Sequence, residues 1–258
     1  MNTSIKKRFS TAATTYDRHA TVQSMVAEKV IGLTQALPAP YHLLEIGCGT
    51  GQLTKRLCER YPTTTIDALD VSGSMLDQAK LSPNNSQNIR WIQADIKTHE
   101  HVGYDMIASS SALHWVEPLE DCFQRIYGMQ QDGGFFVASI MLRHTLEELH
   151  ASRIRVAPHK KPLGQLPLFE DVLKIMTTCG WEILYDEPEK HKIVYPSAHD
   201  FLQSIHAQGS TGGSVSQSDD PLTRQELNRL IADYDTTHKN SDGTVYATYR
   251  IGFVTAKK

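Results

Sequence analysis

Three carboxylates stand out by where they fall. Glu45, Asp70 and Asp95 each sit at or beside the end of a short apolar run. After the first comes Ile46-Gly47-Cys48-Gly49-Thr50-Gly51-Gln52-Leu53, with a glycine at every other position. Alternate glycines let the main chain bend sharply and let a ligand come against bare backbone. The free N–H groups of a following helix point at such a ligand. Counting from Gly47 or from Gly49, the sixth position is Gln52 or Thr54, so the dinucleotide fingerprint is not met. No Gly-Lys-Ser/Thr phosphate loop is present either. Asp70 falls about twenty residues past the glycines, where an acid at a strand tip can accept both hydroxyls of a ribose. Asp95, followed by Ile96, suits an adenine: an acceptor for its amino group and an aliphatic cover for one ring face.

These groups need a scaffold that brings strand ends together. The apolar run before the glycines predicts a strand, and Leu53, Leu57 and Tyr61 then carry a helical period. Thr64 to Asp70 reads as a second strand, with Ser72 as N-cap of the next helix. Ile89 to Ala94, Tyr104 to Ser109 and Phe135 to Met141 read as strands three to five, the last entered by a turn at Gly133-Gly134. Strands alternating with helices predict a doubly wound α/β fold with a parallel sheet. Ligands in such sheets lie beyond the carboxyl ends of the strands, where Glu45, Asp70, Asp95 and Ser109 all fall.

Ahead of the first strand, Phe9, Ala13, Tyr16 and Ala20, then Val22, Val26, Val30 and Leu33, predict two amphipathic helices or one bent one. Beyond Met141 the alternation stops. Thr145-x-x-Glu148 and Thr223-x-x-Glu226 read as capping boxes. Trp181 to Tyr185 and His191 to Tyr195 read as two strands. Val245, Ala247, Tyr249, Ile251 and Phe253 alternate as a last strand. One domain over 1–258 is expected: N-terminal helices over 1–40, a ligand-binding core over 41–141, a lid with late core elements over 142–240, and the last strand over 243–256.

Lys plus Arg number 26 against 29 Asp plus Glu, a net charge of −3 over 258 residues. That gives no global field for nucleic acid. No run approaches a membrane span or a secretory leader, so no membrane partner is expected. Cys48, Cys58, Cys122 and Cys179 have no metal or redox spacing and suit a reduced, cytoplasmic protein. No set of carboxylates and histidines has ligand spacing, so no metal is expected.

Glu45-x-Gly47-x-Gly49-x-Gly51 resembles the first motif of the class I methyltransferases that use S-adenosylmethionine (SAM). Further runs narrow this. Arg8-Phe9-Ser10-x-Ala12-Ala13-x-x-Tyr16-Asp17, Leu69-Asp70-x-Ser72-x-x-Met75-Leu76, Ala112-Leu113-His114-Trp115, Leu222-Thr223-Arg224-Gln225-Glu226-Leu227 and Gly243-Thr244-Val245-Tyr246-Ala247-Thr248-Tyr249 look like the malonyl-acyl-carrier-protein O-methyltransferases of biotin synthesis. His114 departs from that pattern, since many relatives carry Gln before the Trp, and so does Arg143-His144.

The resemblance implies a Rossmann-like seven-stranded sheet, mostly parallel, with an antiparallel last strand and a helical lid. It implies transfer of the SAM methyl group to the free carboxylate of malonyl held on acyl carrier protein or coenzyme A, leaving S-adenosylhomocysteine (SAH). SAM would be held by Glu45, Gly47, Cys48, Gly49, Gly51, Asp70, Val71, Met75, Asp95, Ile96 and Ser109. Arg143 is expected to bind the acceptor carboxylate and Tyr16 to close over the methyl group. Of two basic clusters, Lys6-Lys7-Arg8 and the segment with Arg153, Arg155, Lys160 and Lys161, the second is expected to form the docking face for an acidic carrier, and the chain is expected to act as a monomer. Two alternatives stand beside this reading: a methyltransferase for a free small acid of the trans-aconitate type, and a SAM-binding protein without chemistry.

Overall fold

The computed structural model describes residues 3–81, 87–160, 165–210 and 221–258. Lys161 and most of the low-complexity stretch from Gly209 to Asp219 lie outside the described residues. The strands are β1 (His42–Ile46), β2 (Thr65–Asp70), β3 (Ile89–Gln93), β4 (Tyr104–Ser109), β5 (Gln130–Met141), β6 (Glu182–Tyr195) and β7 (Val245–Lys257). They form one seven-stranded sheet in the order β3-β2-β1-β4-β5-β7-β6. β1 to β5 pair in parallel, and β7 runs antiparallel to both β5 and β6. The order reverses between β1 and β4, so the crevice beyond these two strands is the switch point where ligands bind in such sheets.

Burial on both faces explains the apolar runs. Leu43 packs on one side with Val26, Leu57 and Val137, while Leu44 packs on the other with Ile107, Phe123 and Phe136. Each such side chain contributes roughly 1.5–3 kcal/mol when fully buried. The first face is covered by α3 (Thr21–Leu33) and α4 (Gln52–Arg60), and further along by α9 (Ala198–Ala207) and α10 (Arg224–Thr237). The second carries α6 (Leu119–Met129) and α8 (Phe169–Cys179). α5 (Gly73–Lys80) is capped by Ser72, whose hydroxyl accepts the Met75 N–H.

The N-terminal segment is broken twice rather than once. α1 (Thr3–Ala12), α2 (Tyr16–His19) and α3 are separate pieces. The first break is a turn in which the Ala12 carbonyl accepts the Thr15 N–H at 2.9 Å.

Three expectations beyond β4 are corrected. Gly133-Gly134 is not a turn into β5 but part of it: Gly133 donates to the Lys258 carbonyl, and Lys258 donates back to Gly134. β6 is one strand, not two. It runs through Pro188, which an edge strand tolerates because its outer side has no ladder to donate to. Thr145 and Glu148 form no capping box. α7 (Glu147–Val156) starts at Leu146 in a left-handed conformation with no side-chain cap. The Thr145 hydroxyl instead bonds Arg250, and the Glu148 carboxylate accepts both the N–H and the hydroxyl of Thr248, all on β7. The capping box at Thr223 and Glu226 does form, opening α10.

Candidate active site

The glycines after β1 have the left-handed backbone that favours glycine, with φ of +71° at Gly47, +55° at Gly49 and +86° at Gly51. A Cβ on Gly47 would stand 2.3 Å from Ala112 Cβ, whereas one on Gly49 would meet nothing within 4 Å. The first glycine therefore lets the loop after β4 pack close, and the second leaves open space beside bare main chain. Three adjoining cavities share Gly47 and run along the carboxyl edge of the sheet.

The cavity above α4 is lined by Glu45, Gln23 and Gln52. In each of the three, one side-chain oxygen is buried with no hydrogen-bond partner among the described residues: Glu45 Oε2, Gln23 Oε1 and Gln52 Oε1. The two amides are oriented by their nitrogens, Gln23 donating to Gln208 and Gln52 to Asp17. Burial pushes the Glu45 carboxyl up to about 8. Three acceptors facing one space suit an ammonium group, which carries three N–H donors and would ionise the acid.

At the other end, Leu69, Val71, Ile96 and Val116 make a mostly apolar slot with Asp95 beside it. Asp95 Oδ1 accepts the Lys97 N–H at 3.0 Å. Asp70 lies between the two ends. Its Oδ2 accepts the Gly49 N–H at 2.9 Å and its Oδ1 the Ser72 N–H at 2.8 Å. An ammonium end, a carboxylate for hydroxyls and an apolar slot follow one another along the crevice.

The central cavity, about 830 Å³ counting its open mouth, continues away from this crevice under α1, α2 and α9. Tyr16 lines both it and the Glu45 cavity. Its neighbour Asp17 fixes it there by accepting from the Thr50 hydroxyl at 2.6 Å and from Gln52 Nε2 at 2.9 Å. Burial, with Asp17 and Asp70 nearby, holds the Tyr16 phenol well above its usual range, so it is a neutral donor. Ser111, Tyr249 and His114 also line this cavity. No lysine or arginine lines any of the three cavities among the described residues.

A methyltransferase-domain profile matches residues 44–136, the segment from β1 into β5. A malonyl-acyl-carrier-protein O-methyltransferase from Anoxybacillus flavithermus is 30% identical over 261 residues, spanning 97% of this chain and 95% of the relative. The chain belongs to the malonyl-acyl-carrier-protein O-methyltransferase family. A second such protein, from Ilyobacter polytropus, is 27% identical over 98% of this chain and 97% of its own length. The fold of the methyltransferase is shared with phosphoethanolamine N-methyltransferase 2 of Haemonchus contortus, solved with SAH. The TM-score there is 0.60 at 15% identity, over 96% of this chain and 57% of that one.

Within this methyltransferase the structure brings Glu45, Gly47, Cys48, Gly49, Asp70, Val71, Met75, Asp95, Ile96 and Tyr16 to the three cavities. Gly51 stands one step back as the left-handed N-cap of α4, where a Cβ would meet Ala79 at 3.3 Å. Ser109 is fully buried, its hydroxyl donates to the Ile46 carbonyl at 2.9 Å, and it is not among the residues lining these three cavities. Ser110 and Ser111, one and two places on, line the central one. Arg143 lies past the end of β5, its backbone N–H donating to the Pro167 carbonyl and its Nε facing the Leu166 carbonyl at 3.5 Å, and it is not among the residues lining these three cavities.

The expected basic face is largely committed to internal pairs. Arg155 forks onto Asp233 of α10 at 2.7 Å. Lys160 is mostly buried and donates to Glu226 and to the Pro221 carbonyl, both at 2.7 Å. Lys6 and Lys7 on α1 are exposed instead, close in sequence to Phe9, which lines the central cavity.

The four cysteines are free thiols. His42, Asp67 and His101 come close enough to share an ion, but the Arg90 guanidinium already forks onto Asp67 and bonds His42. No helix among the described residues is long and apolar enough to cross a membrane. Sequence reasoning missed Gln23, Gln52, Gln208 and Tyr249 as lining residues. Gln52 and Tyr249 stand inside runs singled out above, the glycine loop and the tail, but without a role, whereas Gln23 and Gln208 stand in no motif and are joined by a bond across the chain.

Proposed function

We propose that the protein transfers the methyl group of SAM to the free carboxylate of malonyl carried as a thioester on acyl carrier protein. When bound, SAM supplies an electrophilic methyl group on a sulfonium. Glu45, Gln23 and Gln52 would hold its ammonium, Asp70 its ribose hydroxyls, and Asp95 with Ile96 its adenine. The names of the relatives support the malonyl carrier substrate.

The observation that carries the choice of acceptor is the central cavity: large, mostly apolar, and without a lysine or arginine side chain. A free di- or tricarboxylic acid calls for a closed pocket with several cations. A malonyl thioester brings one carboxylate on a long neutral arm, which an open apolar cavity accommodates.

The acceptor carboxylate has an ordinary pKa of about 4, so it needs no general base at neutral pH. A fixed cation beside it would stabilise the anion most before reaction, since its charge is lost on methylation, and would raise the barrier. Neutral donors such as Tyr16 Oη orient the carboxylate with less of that penalty. Orientation of this kind contributes roughly 7–11 kcal/mol of barrier lowering, and the apolar walls keep water from the nucleophile. The test is side-by-side turnover of malonyl-carrier protein, malonyl-coenzyme A and trans-aconitate by pure enzyme. Preference for the small acid would overturn the reading.

A further inference from the structure

His114 is a buried histidine that no step of the proposed transfer uses. It lies in the short 3-10 turn Leu113–Trp115, and it lines the central cavity. This turn belongs to the loop after β4, whose Ala112 packs on Gly47, so the loop stands where the crevice opens into the central cavity. His114 Nδ1 faces the Met141 N–H at 3.4 Å. A backbone N–H only donates, so Nδ1 accepts and the proton of the neutral ring sits on Nε2. Nε2 has no hydrogen-bond partner among the described residues. The ring leans on Trp115 at 5.0 Å between centroids, and Trp115 meets Phe9 edge-on at 5.4 Å. The imidazole is therefore fixed in place and in tautomer, with one N–H left to offer.

We propose that His114 is a binding residue for the acyl acceptor, presenting Nε2–H as an uncharged donor to the carboxylate that receives the methyl group. Burial pushes the ring down to about 3, so it stays neutral throughout the working range. That suits the reaction, because a donor without charge orients the anion while giving it less ground-state stabilisation than a lysine or arginine would. The same donor discriminates. A carboxylate oxygen accepts strongly, whereas the product's ester oxygens accept weakly, so the product leaves more readily.

This assignment rests on the proposed function, and the experiment separates the two. Wild type, His114→Leu and His114→Gln are compared for turnover of malonyl-pantetheine, for binding of the malonyl acid against its methyl ester, and for SAH affinity by calorimetry. His114→Leu is expected to lower kcat/KM roughly tenfold to a hundredfold and to cut the preference for acid over ester about fivefold or more. SAH affinity should stay within about twofold, since no bond to that ligand is lost. His114→Gln, whose amide still offers an N–H, is expected to recover to within about threefold of wild type. Wild-type turnover and unchanged discrimination in the Leu variant would overturn the proposal, leaving the ring as packing. Equal damage in the Leu and Gln variants with SAH binding lost would overturn it as well, in favour of a structural role. Absence of any methyl transfer to malonyl by a wild-type protein that binds SAH would instead overturn the proposed function, and this assignment with it.

Discussion

The Asp70 carboxylate is bonded to the glycine loop itself, accepting the Gly49 N–H on Oδ2 at 2.9 Å. Its other oxygen accepts the Ser72 N–H at 2.8 Å. One side chain thus joins the loop after β1 to the turn after β2. A carboxylate has about four lone-pair sites, so each oxygen keeps capacity for a ligand hydroxyl.

Asp70→Ala is expected to lose both the ligand bonds and the tie to the loop. The expected cost is about 2–4 kcal/mol of SAH affinity, roughly thirtyfold to a thousandfold. Calorimetry measures the affinity, and hydrogen exchange at the Gly49 amide, faster in the variant, reports the loosened loop. An unchanged dissociation constant in a folded variant would contradict both roles.

Glu45 makes stability and binding depend on pH in opposite directions. Its folded value of about 8 lies above the ordinary 4.5, so between those values the folded chain holds a proton that the unfolded chain has released. Stability from this group therefore falls as pH rises through that window, by at most about 1.4 kcal/mol per pH unit. Binding of an ammonium requires the ionised form, so SAH affinity rises with pH toward 8 and a proton is released. Glu45→Gln should flatten both trends. Calorimetry in two buffers of different ionisation heat reads the proton, and binding without release would contradict the ammonium assignment.

Tyr16 and Arg143 should separate clearly. Tyr16→Phe removes a neutral donor from the central cavity and is expected to cost about 1.5–3 kcal/mol in kcat/KM, roughly tenfold to a hundredfold. Arg143→Ala, outside the cavities, is expected to stay within about threefold of wild type. A large loss in kcat/KM for the arginine variant with SAH binding intact would restore it to the acceptor site.

Carrier docking gives a third contrast. Lys160 ties α10 to the segment after α7, and its hydrogen bond, with the Thr223 N–H behind it, holds the Glu226 carboxyl down to about 2. Lys160→Glu should therefore lower the melting temperature and damage turnover of carrier-bound and carrier-free malonyl alike. Lys6→Glu with Lys7→Glu should raise KM severalfold for malonyl-carrier protein only, with a weaker salt dependence. Equal effects on both substrates in the α1 variant would remove α1 from the docking face.

The core of this site is legible in sequence because its signals are local. Alternate glycines demand positive φ within five residues, and the buried strands β1 and β2 read as apolar runs closing at Glu45-Ile46 and at Asp70, with Asp95 just past the half-exposed edge strand β3. The segment between β5 and β7 is not legible, because its side chains act over long separations. Thr145 and Glu148 carry the spacing of a capping box yet spend their oxygens on β7, 105 and 100 residues away. Lys160 and Arg155 read as a solvated basic run until α10 folds back against them. Ser109 illustrates the limit of register: a shift of one residue turns a side chain from the cavity into the sheet, and the lining falls to Ser110 and Ser111.

Carboxyl methylation of a carrier-bound malonyl group is open to direct assay. Pure protein incubated with methyl-labelled SAM and malonyl-acyl carrier protein tests it most directly, with label followed on the carrier and then challenged with mild base. The expected result is label on malonyl-carrier protein, none on the carrier lacking the malonyl group, and release of that label as methanol, as a methyl ester requires. Label that resists base, or no transfer by protein that binds SAH, would contradict it.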